Sequence, residues 1–203
     1  MSRPQPFIAV PDVNVYLTVA NLLGPGFTAQ EFMAKVQEAK DPSRLPDVFT
    51  LFASLLKPHP DGSAIQITSG EHILKTAAWK AIQPTAAHTD EDSGLGWRKD
   101  DIHCITDIIY DLVDTTGGEL INLNGAFMHP PLDYEDGCVM RCALDARKDQ
   151  ALFRRFCITY DRKMTAKMKV CRQVTVCSPE EWCRDIRAAE AHKWFSRFPR
   201  ISE

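Results

Sequence analysis

The chain has 203 residues and a formal net charge of −3, with 44% hydrophobic and 25% charged residues; this suffices for one domain with a small appendage and an ordinary core. No apolar run approaches the roughly 20 residues of a membrane span, and the charge balance neither demands nor excludes nucleic acid, because local fields decide such binding. The seven cysteines form no CxxC pair and match no common zinc spacing, so they read as reduced thiols of a cytoplasmic protein whose N-terminus lacks a signal-peptide core.

In chain order, residues 7–12 (FIAVPD) predict a buried strand, and 13–23 a helix closed by Gly24-Pro25-Gly26. Residues 27–39 predict a helix with Thr28 as N-cap and Glu31 three residues on. A turn at 41–48, a short helix at 47–57 and a loop at 57–63 follow. Residues 64–68 alternate as a strand does. Residues 69–82 predict a helix capped by Ser69, with Ile73, Leu74, Ala77, Ala78 and Ile82 on its apolar face. After a polar loop at 83–94, residues 98–115 predict an amphipathic helix ended by Gly117-Gly118. A short strand at 119–123, a loop at 125–133 and a helix at 133–148 come next. Strands at 154–161 (ending in Asp161) and 169–176 precede a closing helix at 178–195, with Ser178 as N-cap, Pro179 at N1 and Glu181 at N3. Strands alternating with helices imply an α/β fold with a mostly parallel central sheet flanked by helices.

In such sheets ligands bind outside the carboxyl ends of the strands. Asp12 and Asp161 end strands, Glu71 lies in the first turn of the helix after strand 64–68, and Asp136 lies near the start of helix 133–148. Singly, each also suits a turn, a cap or a helix dipole. Together at one rim they would repel strongly, and a divalent cation is the usual compensation. Oxygen ligands without a matching His or Cys set favour Mg²⁺ or Mn²⁺, which points to chemistry at phosphate esters. The histidines form no HExxH and no i, i+4 pair, and there is no GxSxG elbow, so His-based metal chemistry and a Ser nucleophile are disfavoured.

FIAVPDVNVYL, TSGEHILKTAAWKAI, GLGWRKDDIHCITDIIYDL, LDYEDGCVMRCALDA, RRFCITYDRKM and VTVCSPEEWCRDI resemble, in this order, the motifs of PIN-domain proteins, with the VapC-like toxin branch the nearest match. The resemblance implies a PIN-like three-layer nuclease domain over residues 1–187, with a helical insertion at about 24–62, and a helical tail at 188–203. It implies a metal-dependent endoribonuclease, the toxin of a toxin–antitoxin pair, that hydrolyses RNA by a metal-activated water. Asp12, Glu71, Asp136 and Asp161 would then hold Mg²⁺ or Mn²⁺ with Asp133 in reserve, and Asn14, Ser69 and Thr159 would orient them. Arg98, Lys99, Arg162, Lys163, Lys167 and Lys169 are candidates to grip flanking phosphates. Trp97 either stacks a base or staples a helix to the core. The partners implied are RNA, an antitoxin and a second copy of the chain, with no membrane. The alternatives are a catalytically weak PIN-like module that binds RNA or a protein partner, and a structure-specific DNA nuclease. In the insertion, Phe27, Phe32, Phe49, Leu51, Phe52, Leu55 and Leu56 form either a partner stripe or a cover for the domain's own core; Trp194, Phe195 and Phe198 pose the same choice for the tail.

Overall fold

A run of five buried residues, Phe7–Pro11, forms β1 at the centre of the sheet. Its continuous apolar character, rather than alternation, is what a parallel strand covered on both faces requires. The structure is a computed structural model that describes residues 5–40, 47–85, 94–122, 132–147, 153–168 and 171–195. The elements after β1 are α1 (Val13–Leu23), α2 (Ala29–Glu38), α3 (Val48–Leu55), β2 (Ile65–Ile67), β3 (Ser69–Gly70) and α4 (Glu71–Ile82). Then come a 3₁₀ turn at Lys99–Asp101, α5 (His103–Thr115), β4 (Leu120–Ile121), α6 (Tyr134–Asp145), β5 (Arg154–Ile158), α7 (Arg162–Met168), β6 (Thr175–Cys177) and α8 (Pro179–Phe195).

The main sheet has the order β2-β1-β5-β6, with every pair parallel and Ala9 opposite both Ile67 and Phe156. β3 pairs in parallel with β4. Thr68 alone separates β2 from β3, and its N–H donates to the Ala9 carbonyl at 2.9 Å. One extended run therefore serves β1 with its first residues and β4 with its last. Counted by appearance in the chain, the strands lie 3-2-1-4-5, a doubly wound α/β/α arrangement whose order reverses between β1 and β5. That reversal opens a crevice at the carboxyl ends of β1 and β5. Gly118 lets the end of α5 reach the sheet: a Cβ there would lie 1.8 Å from the Ile67 carbonyl oxygen.

The insertion packs inward. Phe27, Phe32, Phe49, Leu51, Phe52 and Leu55 are buried; Phe32 meets Phe52 edge-on at 5.3 Å, and Phe52 lies 5.9 Å from Tyr16 of α1. Of the two readings of the stripe, these six residues take the cover, because α2 packs on α3 and α3 on α1. Trp182 Nε1 donates to Ser54 Oγ at 2.8 Å and ties α8 to α3. Both capping boxes form, Thr28 with Glu31 and Ser178 with Glu181.

Four readings change. Ser69 is not a cap: it enters β3, and α4 starts after Gly70 without a side-chain cap. β5 ends at Ile158, and Asp161 instead opens α7, a helix the sequence reading omitted. Of the strand expected at 169–176, only 175 and 176 are strand, in β6 (Thr175–Cys177), after a bend. The helix expected from 98 begins as a 3₁₀ turn. Residues 188–195 of the expected tail continue α8 without a break. Phe198, Lys169 and most of the 125–133 loop lie outside the described residues, as do the details of the 41–46 turn.

Candidate active site

Asp12 follows β1 and is the N-cap of α1, its Oδ1 accepting from Val13 N–H at 2.6 Å. The capping role and the site role coincide in one carboxylate. Its Oδ2 accepts from Thr159 Oγ1 at 2.7 Å and Asn14 Nδ2 at 2.8 Å. Asn14 Nδ2 also donates to Thr159 Oγ1 at 2.9 Å, and Asn14 Oδ1 accepts from Tyr160 N–H at 3.0 Å. Asn14 and Thr159 thus bind the ends of β1 and β5 together around Asp12. Asp12 is only 4% exposed. Burial pushes its carboxyl up to about 6, against the pull of Thr159 and Val13; Glu135 adds to the rise and Lys80 opposes it.

Asp133 caps α6, its Oδ1 accepting from Asp136 N–H at 3.0 Å. Asp136, half-buried in the first turn of α6, has its carboxyl pushed up to about 7. Burial is the largest cause, followed by the negative charges of Asp133, Asp12 and Asp161, while Lys167 opposes. Asp161 Oδ1 caps α7, accepting from Lys163 N–H at 2.6 Å and Met164 N–H at 3.2 Å. Three separate segments therefore bring Asp12, Asp133, Asp136 and Asp161 into one another's field at the crevice.

Glu71 stands differently. It opens α4, but its half-exposed carboxylate pairs with Lys75 one turn on, at 2.6 Å, and it is not among the largest influences on Asp12 or Asp136. Two other residues of α4, His72 and Lys80, reach α6 instead. Lys80 bridges to Glu135 of α6 at 2.7 Å, and His72 meets Tyr134 edge-on at 5.5 Å. Burial lowers the His72 pKa, with Glu135 raising it and Lys80 lowering it. Sequence reasoning missed Lys80 and Glu135. The one available signal was the place of Glu135 between Asp133 and Asp136; nothing local marks Lys80.

Ser69 is fully buried in β3, and its hydroxyl, like that of buried Tyr16, has no hydrogen-bond partner among the described residues. Arg162 and Lys163 open α7 directly after Asp161. Trp97, Arg98 and Lys99 lie elsewhere. Trp97 N–H donates to the Ala81 carbonyl at the end of α4, and its ring packs on Phe27 at 6.4 Å. A Cβ on Gly26, beyond the end of α1, would sit 3.5 Å from the Asp101 carboxylate. This group lies at the far end of α1, a helix about 16 Å long at 1.5 Å per residue, where the Trp97 ring is partly buried against the core as a staple would be.

Six cysteines are buried and Cys171 is partly so, all as free thiols. Burial pushes Cys142 and Cys177 up to about 12, which makes them poor nucleophiles. Among the described residues, no three His, Cys, Asp or Glu side chains stand close enough to hold a metal ion as they lie here. No helix of the described residues is long and apolar enough to cross a membrane. Set against known protein families, curated proteins and solved structures, the chain matches none.

Proposed function

We propose that the chain is a PIN-like, divalent-cation-dependent endoribonuclease, with Asp12, Asp136 and Asp161 as the residues that engage Mg²⁺ or Mn²⁺. The observation that supports this reading is an unbalanced charge at the switch point of the sheet. Asp12 and Asp136 are both pushed up by burial, and Asp136 also by three neighbouring carboxylates. Lys80 is engaged by Glu135, so among the described residues the crevice holds more carboxylates than cations. The donor set fits a hard cation, being oxygen throughout. Mg²⁺ binds through one or two carboxylates and waters and completes its shell with substrate phosphate, so convergence of three side chains is not required beforehand. When bound, such a cation lowers the pKa of a water and polarises a phosphoryl oxygen.

The chain's own residues do the rest. Asn14 and Thr159 hold the Asp12 carboxylate in one orientation. Asp133 and Asp161 fix the first turns of α6 and α7, which carry Asp136 and Arg162. Arg162, Lys163 and Lys167 supply positive charge beside the acids for flanking phosphates. Glu71 would join only by leaving Lys75. The PIN resemblance further supports a toxin role, with an antitoxin and a second copy of the chain as partners; co-expression pull-down and sedimentation test these two.

The direct test is incubation with structured and unstructured RNAs and the matching DNAs, with Mg²⁺, Mn²⁺ or EDTA. RNA cleavage that needs the cation and disappears in Asp12→Asn is expected. Cleavage of DNA alone would favour a DNA nuclease. RNA binding without cleavage under every condition would favour the weak, binding-only alternative.

A further inference from the structure

The chain carries 27 acids against 24 lysines and arginines, yet one hollow between α3 and α8 reverses that balance. It holds about 170 Å³ and is lined by Lys40, Lys57 and Arg187, with Glu190 as the acid among its described lining residues. Its floor is made of small or apolar side chains, Ala53, Cys183 and Ile186, all buried. The three cations come from three places: Lys40 follows α2, Lys57 follows α3, and Arg187 stands in the middle of α8. Lys40 Nζ donates to the neutral Gln37 side chain, and no carboxylate pairs with Lys57 among the described residues. The Arg187 charge reaches the floor, where it pulls the Cys183 thiol down against the burial that pushes it up. Other hollows are charged the opposite way. The cleft beside Tyr160 sets Arg162 against Glu180 and Glu181, and the hollow over α5 has Asp107 and Asp111 with no Lys or Arg.

Two of these cations have a local role as well. A cation where a helix ends offsets the partial negative charge of its last carbonyls, which suits Lys40 after α2 and Lys57 after α3. That role calls for nothing from the middle of α8, so it leaves Arg187 unexplained. The neighbouring hydroxyls are already committed. Ser54 Oγ donates to the Leu51 carbonyl at 2.6 Å and accepts from Trp182 Nε1 at 2.8 Å, and Thr50 Oγ1 donates to Asp47 Oδ1 at 3.0 Å. What remains to face a ligand is positive charge from three directions. A tetrahedral polyanion offers oxygens on every side to such a set, whereas a flat carboxylate is satisfied by one guanidinium in a bidentate pair. The volume equals that of about five or six waters at ~30 Å³ each, on the scale of one or two phosphoryl groups.

We propose that Lys40, Lys57 and Arg187 form a binding site between α3 and α8 for the phosphoryl groups of a small phosphate ligand, apart from the acidic crevice. Arg187 lies nine residues along α8 from its Ser178 cap, about 14 Å at 1.5 Å per residue. A ligand there would join the ends of α2 and α3 to α8. The site stands whether or not the crevice cleaves RNA.

The test is isothermal titration calorimetry of the full chain with pyrophosphate, in EDTA and low salt. Wild type should bind one equivalent, with an affinity that falls as salt rises. Lys57→Gln and Arg187→Gln should each weaken binding about three- to tenfold, the lower part of the range for charged hydrogen bonds because the site is open to water. Lys57→Arg keeps the charge and should bind within about threefold of wild type. Glu190→Gln removes the opposing charge and should bind more tightly than wild type. Arg162→Gln, changed beside the crevice, should bind as wild type does. ADP distinguishes the sources of the phosphoryl group: affinity equal to or below that of pyrophosphate means that the phosphates alone are read, and higher affinity means that the ligand carries a nucleoside beyond the hollow. No pyrophosphate binding, or binding lost in Arg162→Gln, would overturn the proposal. So would unchanged affinity in Lys57→Gln and Arg187→Gln; a lower melting temperature of Lys57→Gln beside that unchanged affinity would return Lys57 to the end of α3 alone.

Discussion

The two ends of the sheet treat their carboxylates in opposite ways. At the amino end, Asp61 faces Arg154, the first residue of β5. Arg154 donates to Asp61 Oδ2 at 2.7 Å, to Ser63 Oγ at 3.1 Å and to the Gln5 carbonyl at 3.1 Å, and its guanidinium lies 3.6 Å over the Phe7 ring. His59 Nδ1 stands 2.8 Å from the other Asp61 oxygen. Burial pushes Asp61 up, but the hydrogen bonds from Ser63, Arg154 and His59 outweigh it and hold the carboxyl well below the usual range. At the carboxyl end, Asp12 is just as well hydrogen-bonded, yet it titrates near 6 and Asp136 near 7. The difference is burial first and a cation second. Asp61 stands nearer the surface with Arg154 in its own network, whereas Asp12 is shielded from water and Asp136 is half-buried among other carboxylates. The first arrangement is complete as a structural clasp; the second leaves charge for something from outside to balance.

Asp12→Asn should separate these roles most sharply. Asparagine remains a good N-cap, its Oδ1 able to accept from Val13 N–H as the carboxylate does. Cleavage should fall by about 10³-fold or more, since the change removes a carboxylate from the cation, while the melting temperature in EDTA should hold or rise because a buried charge is gone. Full activity would remove Asp12 from the site, and a collapsed melting temperature would make it structural like Asp61.

The mirror experiment is Arg154→Ala at the amino end. Losing a charged partner of Asp61 should cost about 1–2 kcal/mol in urea denaturation, at the lower part of the range for hydrogen bonds to charged groups because the pair is over a third exposed. The rate of cleavage by the folded fraction should not change. A fall in that rate would mean that the two ends are coupled.

What local chemistry writes into neighbouring residues could be read from the chain alone. The capping boxes at Thr28 and Ser178 each lie within four residues, and the buried strand FIAVP announces β1 by composition. The place of Asp12 follows from that strand and the rule for parallel sheets. The rest depends on phase and on pairing across long separations. Glu71 falls in the expected first turn, but one helical step decides whether a carboxylate faces the crevice or Lys75. Ser69 looks like a cap until β4, itself two residues long, pairs with it from 51 positions away. Lys80 and Glu135 are 55 residues apart, and neither sequence neighbourhood hints at the other. Asp161 was visible as an acid near a strand end, but not as the cap of α7.

Acid and cation should act on the two ends in opposite senses. Asp12 and Asp136 have folded pKa values above the unfolded ones, so their protonation favours the fold: that stability is full below about pH 4, the unfolded value, and is lost as pH rises through about 6 to 7. Asp61 is shifted down, so its contribution is present above about pH 4 and is lost as pH falls further. In EDTA the melting temperature should therefore climb from pH 8 to about pH 5 and then fall in stronger acid. Mn²⁺ at pH 7.5 should raise the melting temperature, the stabilisation being about 1.4 kcal/mol at ten times the dissociation constant, and should do so less in Asp12→Asn. A flat response to both pH and Mn²⁺ in wild type would erase the contrast between the two ends.

The smallest effect concerns the ion pair beside Asp12. Lys80 lowers the Asp12 pKa and Glu135 raises it, and the two are joined at 2.7 Å with Lys80 mostly buried. Together they act on Asp12 as a dipole whose halves oppose one another. Lys80→Met keeps the stem that packs between α4 and α6 but leaves Glu135 unopposed, so Asp12 should titrate higher. Glu135→Gln leaves Lys80 unopposed, so Asp12 should titrate lower. The double variant should return close to wild type, because the two changes act on one pair and their effects do not add independently. The readout is the pH at which the EDTA melting curve turns over, confirmed by the acid limb of the cleavage profile. It should move up in the first variant and down in the second. Movement of both in the same direction would mean that the substitutions act through packing of α4 on α6, and the pair would then be a clasp of the Asp61 kind rather than a tuner of Asp12.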